Sequence, residues 1–159
     1  MPPIHDFKAH LHVRYDAQYK LFKPTPVPYA FTSKIEDVLD KLEVLSIISE
    51  VSTAEFSTSP IVPVLKPNWQ VRICKNFKVT VNWYLDLTQY PLLHIEKIFK
   101  RFSEKEVYSK LDVPEAFLQV KLDEESRRHV VITTHKVLFS YNRLCYGIAS
   151  AYAMFQKII

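Results

Sequence analysis

Ser59-Pro60-Ile61-Val62-Pro63-Val64-Leu65-Lys66-Pro67-Asn68-Trp69-Gln70-Val71-Arg72-Ile73-Cys74 is the stretch on which the fold turns. Ile61–Lys66 and Gln70–Cys74 are rich in β-formers and flank Pro67-Asn68-Trp69. Proline followed by asparagine is turn chemistry, so the pattern predicts a hairpin. This hairpin is also basic. Lys66, Arg72, Lys75 and Lys78 lie between Ile61 and Leu85 with no acidic residue among them. The whole chain is only mildly basic, with 21 Lys+Arg against 17 Asp+Glu and a formal charge of +4. Here distribution is more informative than the total.

Toward the N-terminus, Pro24, Pro26 and Pro28 alternate, which blocks helix and favours an extended chain. Residues 1–32 therefore read as a Pro/aromatic-rich lead-in arm that packs its aromatics on a neighbour. Thr32 or Ser33 then reads as an N-cap, with Glu36 completing a capping box. Ile35, Val38, Leu39, Leu42 and Leu45 recur at helical spacing, which predicts a helix over 34–48 and a loop over 50–59. Toward the C-terminus, residues 92–102 read as a helix with Ile95, Ile98, Phe99 and Phe102 on one face. Alternation over 107–113 predicts a strand ending near Asp112, followed by a helical turn at 114–118. Residues 129–134 and 137–141 form a second β pair, and 149–159 a closing helix. The class is α+β.

Composition removes several function classes. The 159 residues contain a single glycine, Gly147, where average usage of about 7% would supply roughly eleven. Glycine-rich phosphate loops are thereby excluded. Two cysteines, Cys74 and Cys145, do not make a disulfide framework, and both sit in apolar surroundings, as buried thiols do. No run approaches the ~18 apolar residues of a membrane span, and no signal-peptide pattern opens the chain. An intracellular location, cytoplasm or nucleus, without secretion or membrane, is the expectation. His10-x-His12 lacks a Cys or carboxylate at ligand spacing and reads as a solvated pair. Asp112, at the end of an apolar segment, either caps the turn at Pro114, pairs with a cation, or binds a metal.

Several stretches together resemble a known family. Ser59 to Pro67, Val71-Arg72-Ile73-Cys74 and Asn76 to Asn82 are similar to the fingers of reverse transcriptases, above all those of gypsy-type LTR retrotransposon pol polyproteins. Gln89-Tyr90-Pro91-Leu92, Ser109-Lys110-Leu111-Asp112, Ala116-Phe117-Leu118-Gln119, Tyr141-Asn142-Arg143-Leu144 and Gly147-Ile148-Ala149-Ser150-Ala151 continue the resemblance in order along the chain.

The resemblance implies a right-hand polymerase: a lead-in over 1–32, a fingers-like region over 33–105 and a partial palm over 106–159. It implies that Asp112 is a catalytic acid holding Mg2+ with the Val113 backbone carbonyl. By the same token Lys66, Arg72, Phe117, Tyr146 and Gly147 contact the nucleotide, and Lys75, Lys78 and Arg143 the nucleic acid. The implied activity is RNA-directed DNA synthesis, with an RNA or DNA template-primer and deoxynucleotides as partners. The family's aromatic-x-Asp-Asp hairpin is not reached by Ile159. The expectation is thus a fragment truncated before the second catalytic strand hairpin and inactive alone, because one carboxylate does not hold two magnesium ions. Two alternatives stand beside it: a non-catalytic nucleic-acid-binding remnant, and an interaction fragment that self-associates through an open palm strand or is completed by a second chain.

Overall fold

The computed structural model describes residues 2–4, 6–86, 94–103, 106–110 and 112–158. In chain order the elements are β1 (Lys8–Ala9), α1 (Tyr29–Val44), β2 (Ile48–Val51), β3 (Thr58–Leu65), β4 (Val71–Lys75), α2 (Ile95–Phe102), β5 (Lys121–Leu122), α3 (Glu124–Arg127), β6 (Val131–Thr133), β7 (Leu138–Tyr141) and α4 (Ala151–Ile158). Short 3-10 turns cover Phe77–Val79, Val81–Trp83 and Ala116–Gln119. The α+β class holds.

Five strands form one sheet in the order β2-β7-β6-β3-β4. The long strand β3 joins its two parts. Thr58–Pro60 pairs in parallel with β6, and Ile61–Leu65 pairs antiparallel with β4. The predicted basic hairpin is thus present, with Lys66 N–H donating to the Gln70 carbonyl (2.8 Å) and Trp69 N–H to the Lys66 carbonyl (3.0 Å) across the turn. The predicted β6–β7 hairpin is present too. Its turn is closed by the Thr134 hydroxyl, which accepts from the Lys136 and Val137 amides. Ile35, Ile48, Ile61, Phe77, Ile132, Tyr141 and Leu144 are fully buried at the centre, where α1 covers one face of the sheet.

The arm packs on its own body. Ala9 and Leu11 are buried, the Leu11 N–H donates to the Ser126 hydroxyl (2.7 Å), and β1 pairs in parallel with β5. Its aromatics divide: Phe7 and Phe31 pack against the core, whereas Tyr15 and Tyr29 stand in solvent.

Three local expectations are corrected. First, α1 starts at Tyr29 directly after Pro28, with no side-chain cap. Ser33 therefore lies inside the helix, where its amide is already bonded, and Glu36 turns instead to His135 (3.1 Å) and Lys136 (3.0 Å). Second, the helix ends at Val44, because Ser46 takes a left-handed φ of 52° and the Leu45, Ser46 and Ile47 amides fold back on the last carbonyls. Residues 48–51 then pair with β7 as a strand, not as helix and loop. Third, no strand forms among residues 106–110 and 112–113. A strand needs a ladder partner, and the edges of the main sheet are β2 and β4. The open palm-strand edge is accordingly not present among the described residues; the exposed apolar surface there is instead Ile95, Phe99 and Phe102 of α2 with Val107 and Tyr108. The Gln89–Leu92 motif, the predicted start of α2 and Leu111 lie outside the described residues. Among the described residues no helix is long and apolar enough to cross a membrane.

Candidate nucleotide site

The hairpin register pairs Val64 with Arg72 and Leu65 with Val71, and the turn bond places Lys66 opposite Gln70. Because strand side chains alternate, Lys66 and Arg72 share one hairpin face. Both are exposed. Lys75 belongs to the opposite face and folds inward, with its ammonium 4.5 Å from the centroid of the Tyr141 ring. The hairpin tip is tethered to α1 by Lys34, whose ammonium donates to the Trp69 carbonyl at 3.4 Å. Trp69 itself sits at φ 61°, a left-handed turn position that glycine would hold without strain.

A second loop faces this hairpin. Gly147 has φ +99°, and a Cβ built there would lie 3.5 Å from Phe77 Cδ2 and 3.6 Å from the Lys75 carbonyl oxygen. The space is ordinary; the backbone conformation is what requires glycine. Asn82 clamps this loop from both sides. Its side-chain amide donates to the Gly147 carbonyl (2.7 Å) and its side-chain oxygen accepts from the Ala149 N–H (3.0 Å).

Hairpin and loop enclose a cavity of about 470 Å³. Of the residues implied to contact nucleotide or nucleic acid, Lys66, Arg72, Lys75, Tyr146 and Gly147 line it together. Phe117 stands behind Tyr146, ring centroids 4.7 Å apart, and packs edge-on against Phe155 at 5.5 Å. Among the described residues Glu115 is the one acidic residue on the wall. Three cations against one carboxylate give the cavity a net positive lining, suited to an anion.

The remaining implied residues are placed elsewhere. Lys78 is exposed and does not line the cavity. Arg143 is buried, and its guanidinium donates to the Leu118 (3.1 Å) and Leu45 (3.2 Å) carbonyls, tying the end of α1 to the 116–119 turn. Asp112 and Val113 are exposed, off the cavity wall. Nor does Asp112 cap the following turn, whose N-cap is Glu115 without a side-chain bond. Among the described residues no group of three or more His, Cys, Asp or Glu side chains could hold a metal ion. A two-magnesium centre therefore does not fit this set of donors.

In sequence Tyr141 belongs to the matching stretch Tyr141-Asn142-Arg143-Leu144, but the resemblance implies no site role for it. It is 1% exposed and lines the cavity, and among the described residues its hydroxyl, itself buried, meets no hydrogen-bond partner. Burial pushes its ionisation well up. Cys145 behaves as the expected inert thiol: fully buried, with burial raising its pKa to about 11. Cys74 differs, being half-buried on the cavity wall. Away from the cavity, His10 is not merely solvated. Its Nδ1 lies 2.6 Å from the Asp123 carboxylate, which caps α3 through the Ser126 N–H.

No family model matches the chain. An uncharacterized Caenorhabditis elegans protein is 36% identical over 135 residues, 84% of this chain but 11% of that protein. The transposon Tf2-3 polyprotein of Schizosaccharomyces pombe is 24% identical over 134 residues, 84% of this chain and 10% of its own length. This chain thus spans about a tenth of the curated relatives it matches. Among solved structures, native prototype foamy virus protease-reverse transcriptase superposes with a TM-score of 0.73 at 21% identity, over 92% of this chain and 20% of that one. A foamy viral protease-reverse transcriptase in complex with double-stranded DNA gives 0.67 at 18% identity, over 99% and 26%. In sequence the chain is similar to a segment of a retrotransposon polyprotein, and in fold it is like part of a retroviral protease-reverse transcriptase.

Proposed function

We propose that the chain is the fingers and N-terminal palm segment of a gypsy-type retroelement reverse transcriptase, and that its own contribution is a seat for a deoxynucleoside triphosphate. The carrying observation is convergence. Lys66, Arg72, Lys75, Tyr146 and Gly147 come from two segments about seventy residues apart and line one cavity. Arg72 and Lys66 suit the phosphates: guanidinium offers bidentate donors and ammonium a point charge. The ring of Tyr146, propped by Phe117, gives the nucleoside an apolar surface. Because the described residues hold no group of three or more His, Cys, Asp or Glu able to bind a metal, no phosphoryl-transfer step is assigned to this chain by itself.

Equilibrium titration with dATP tests the reading. Loss of one charge-assisted contact is expected to weaken binding about tenfold to a hundredfold in Arg72→Ala, and less in Lys66→Ala. Asp112→Asn should leave affinity unchanged, and primer extension on an RNA template should be absent. Affinity for dATP that ignores both cation replacements would sink the proposal. A template-primer is the second ligand this reading carries, favoured by the exposed Lys66, Arg72 and Lys78 and by the relative solved with double-stranded DNA. Its signature is steep salt dependence, with Lys78→Ala lowering the slope by about one.

A further inference from the structure

The N-terminal arm is pinned to the body on both sides of two histidines. The Ala9 carbonyl accepts from the Asp123 N–H (3.1 Å), the Leu11 N–H donates to the Ser126 hydroxyl (2.7 Å), and the His12 carbonyl accepts from the Asp86 N–H (2.8 Å). Ala9 and Leu11 are buried, whereas His10 is half-buried and His12 exposed, so the two imidazoles share the outer side of the arm. Their ring centroids are 4.7 Å apart, with the planes at 71°. Nδ1 of His10 lies 2.6 Å from the Asp123 carboxylate, which is itself fixed by the Ser126 N–H (2.8 Å). Nε2 of His10 is therefore the nitrogen left for any other partner. The ring nitrogens of His12 make no hydrogen bond among the described residues.

A carboxylate on one ring nitrogen is how proteins orient a histidine whose other nitrogen ligates a metal. Two imidazoles on one ion, each bound at about 2.0–2.1 Å, have centroids roughly 4.5 Å apart at right-angled positions and roughly 5.2 Å apart at tetrahedral ones. The observed 4.7 Å is nearer the first, the geometry of Cu2+ and Ni2+ rather than of Zn2+. We propose that His10 and His12 together bind one Cu2+ or Ni2+ ion, His10 through Nε2 with Asp123 as its orienting partner, and that water fills the remaining positions. With two protein ligands the site is open and exchangeable, which sets it apart from the sets of three or more that are absent among the described residues. Because Asp123 also caps α3, the ion strengthens the link between the arm and that helix. The site is separate from the hairpin cavity and does not depend on the nucleotide reading.

The probes are the metals alone, added to the untagged full chain: Ni2+ by calorimetry, and Cu2+ by electron paramagnetic resonance. Ni2+ should bind one to one, and the Cu2+ spectrum should carry the hyperfine pattern of two nitrogen ligands. His10→Gln and His12→Gln should each weaken Ni2+ at least tenfold, because the second imidazole binds as an intramolecular ligand, and each should reduce the pattern to one nitrogen. Asp123→Asn, whose side chain caps a helix as well as aspartate does, should weaken Ni2+ about tenfold to a hundredfold. His129→Phe should leave the affinity unchanged. His12 is exposed, so His12→Gln folds and decides the matter even if another variant does not. No Ni2+ binding by the unaltered chain, or an affinity that His12→Gln leaves intact, overturns the proposal. So does full affinity in folded Asp123→Asn, which removes the orienting role, or loss of binding in His129→Phe, which makes the ligand set a different one. Each of these results is read without reference to whether dATP binds.

Discussion

Arg143→Ala separates a nucleic-acid contact from a structural tie. The sequence resemblance implies the former. In the fold the guanidinium is buried and bonded to the carbonyls of Leu118 and Leu45 at 3.1 and 3.2 Å. Truncation removes two hydrogen bonds with a charged donor, each about 1.5–3 kcal/mol, and leaves carbonyls short of partners. Allowing for water that enters the void, the expected loss is about 3–5 kcal/mol, a large part of a typical domain's 5–15 kcal/mol. For a chain of this length each kcal/mol lowers Tm by about 2–4 °C, so the midpoint should fall by roughly 6–20 °C in calorimetry. Nucleic-acid binding by the remaining folded protein, measured well below the new midpoint, should keep its salt slope. A Tm shift under about 2 °C together with a slope reduced by about one would refute the structural assignment and restore the contact role.

Three further outcomes follow from the same geometry. Gly147→Ala should cost about 1–3 kcal/mol through backbone strain at φ +99°, read as a lower Tm; a loss above about 5 kcal/mol would mean a steric clash that the 3.5 and 3.6 Å spacings do not contain. Under native conditions at pH 8, iodoacetamide should label the half-buried Cys74 well before Cys145, whose thiol is fully buried and titrates at about 11; equal labelling by mass spectrometry would contradict the packing around Cys145. Acid should destabilise the fold in two stages. Burial lowers His129 below its ordinary 6.5, so the unfolded chain binds the extra proton and stability falls as pH drops below about 6.5. For Asp123, burial raises the carboxyl, but the bonds from Ser126 and His10 outweigh it; for Glu36, bonds from His135 and Lys136 prevail. Both carboxyls end below their ordinary values, and their contribution, present above about pH 4.5, is lost as pH falls further. His129→Phe, which keeps an aromatic ring against Phe56 at 4.3 Å, should erase only the first stage in urea melts.

What could be read from sequence is what local chemistry decides. The β3–β4 and β6–β7 hairpins were legible because turn residues and β-branched runs agree, and only short-range pairing is needed. Strand β2 was not, because Leu42, Leu45 and Ile48 continue the helical period; its partner β7 lies about ninety residues away. Conversely, alternation at 107–113 looks like a strand, yet no neighbour offers a ladder to its described residues. The site divides in the same way. Lys66 and Arg72 stand out as basic residues on a recognisable hairpin, whereas Tyr141 in a strand reads as an ordinary β-former. Asn82 shows its purpose only once the Gly147 loop is in view.

The claim that the basic hairpin receives the triphosphate end of a nucleotide is open to one direct measurement. The γ-azidoanilide of dATP carries its photoreactive group at the outer phosphate, so irradiation followed by peptide mapping reports where that phosphate rests. The account predicts labelling within residues 66–75, suppressed by excess dATP and lost in Arg72→Ala. Labelling that falls instead on α3 or the N-terminal arm, or that excess dATP does not suppress, would contradict it.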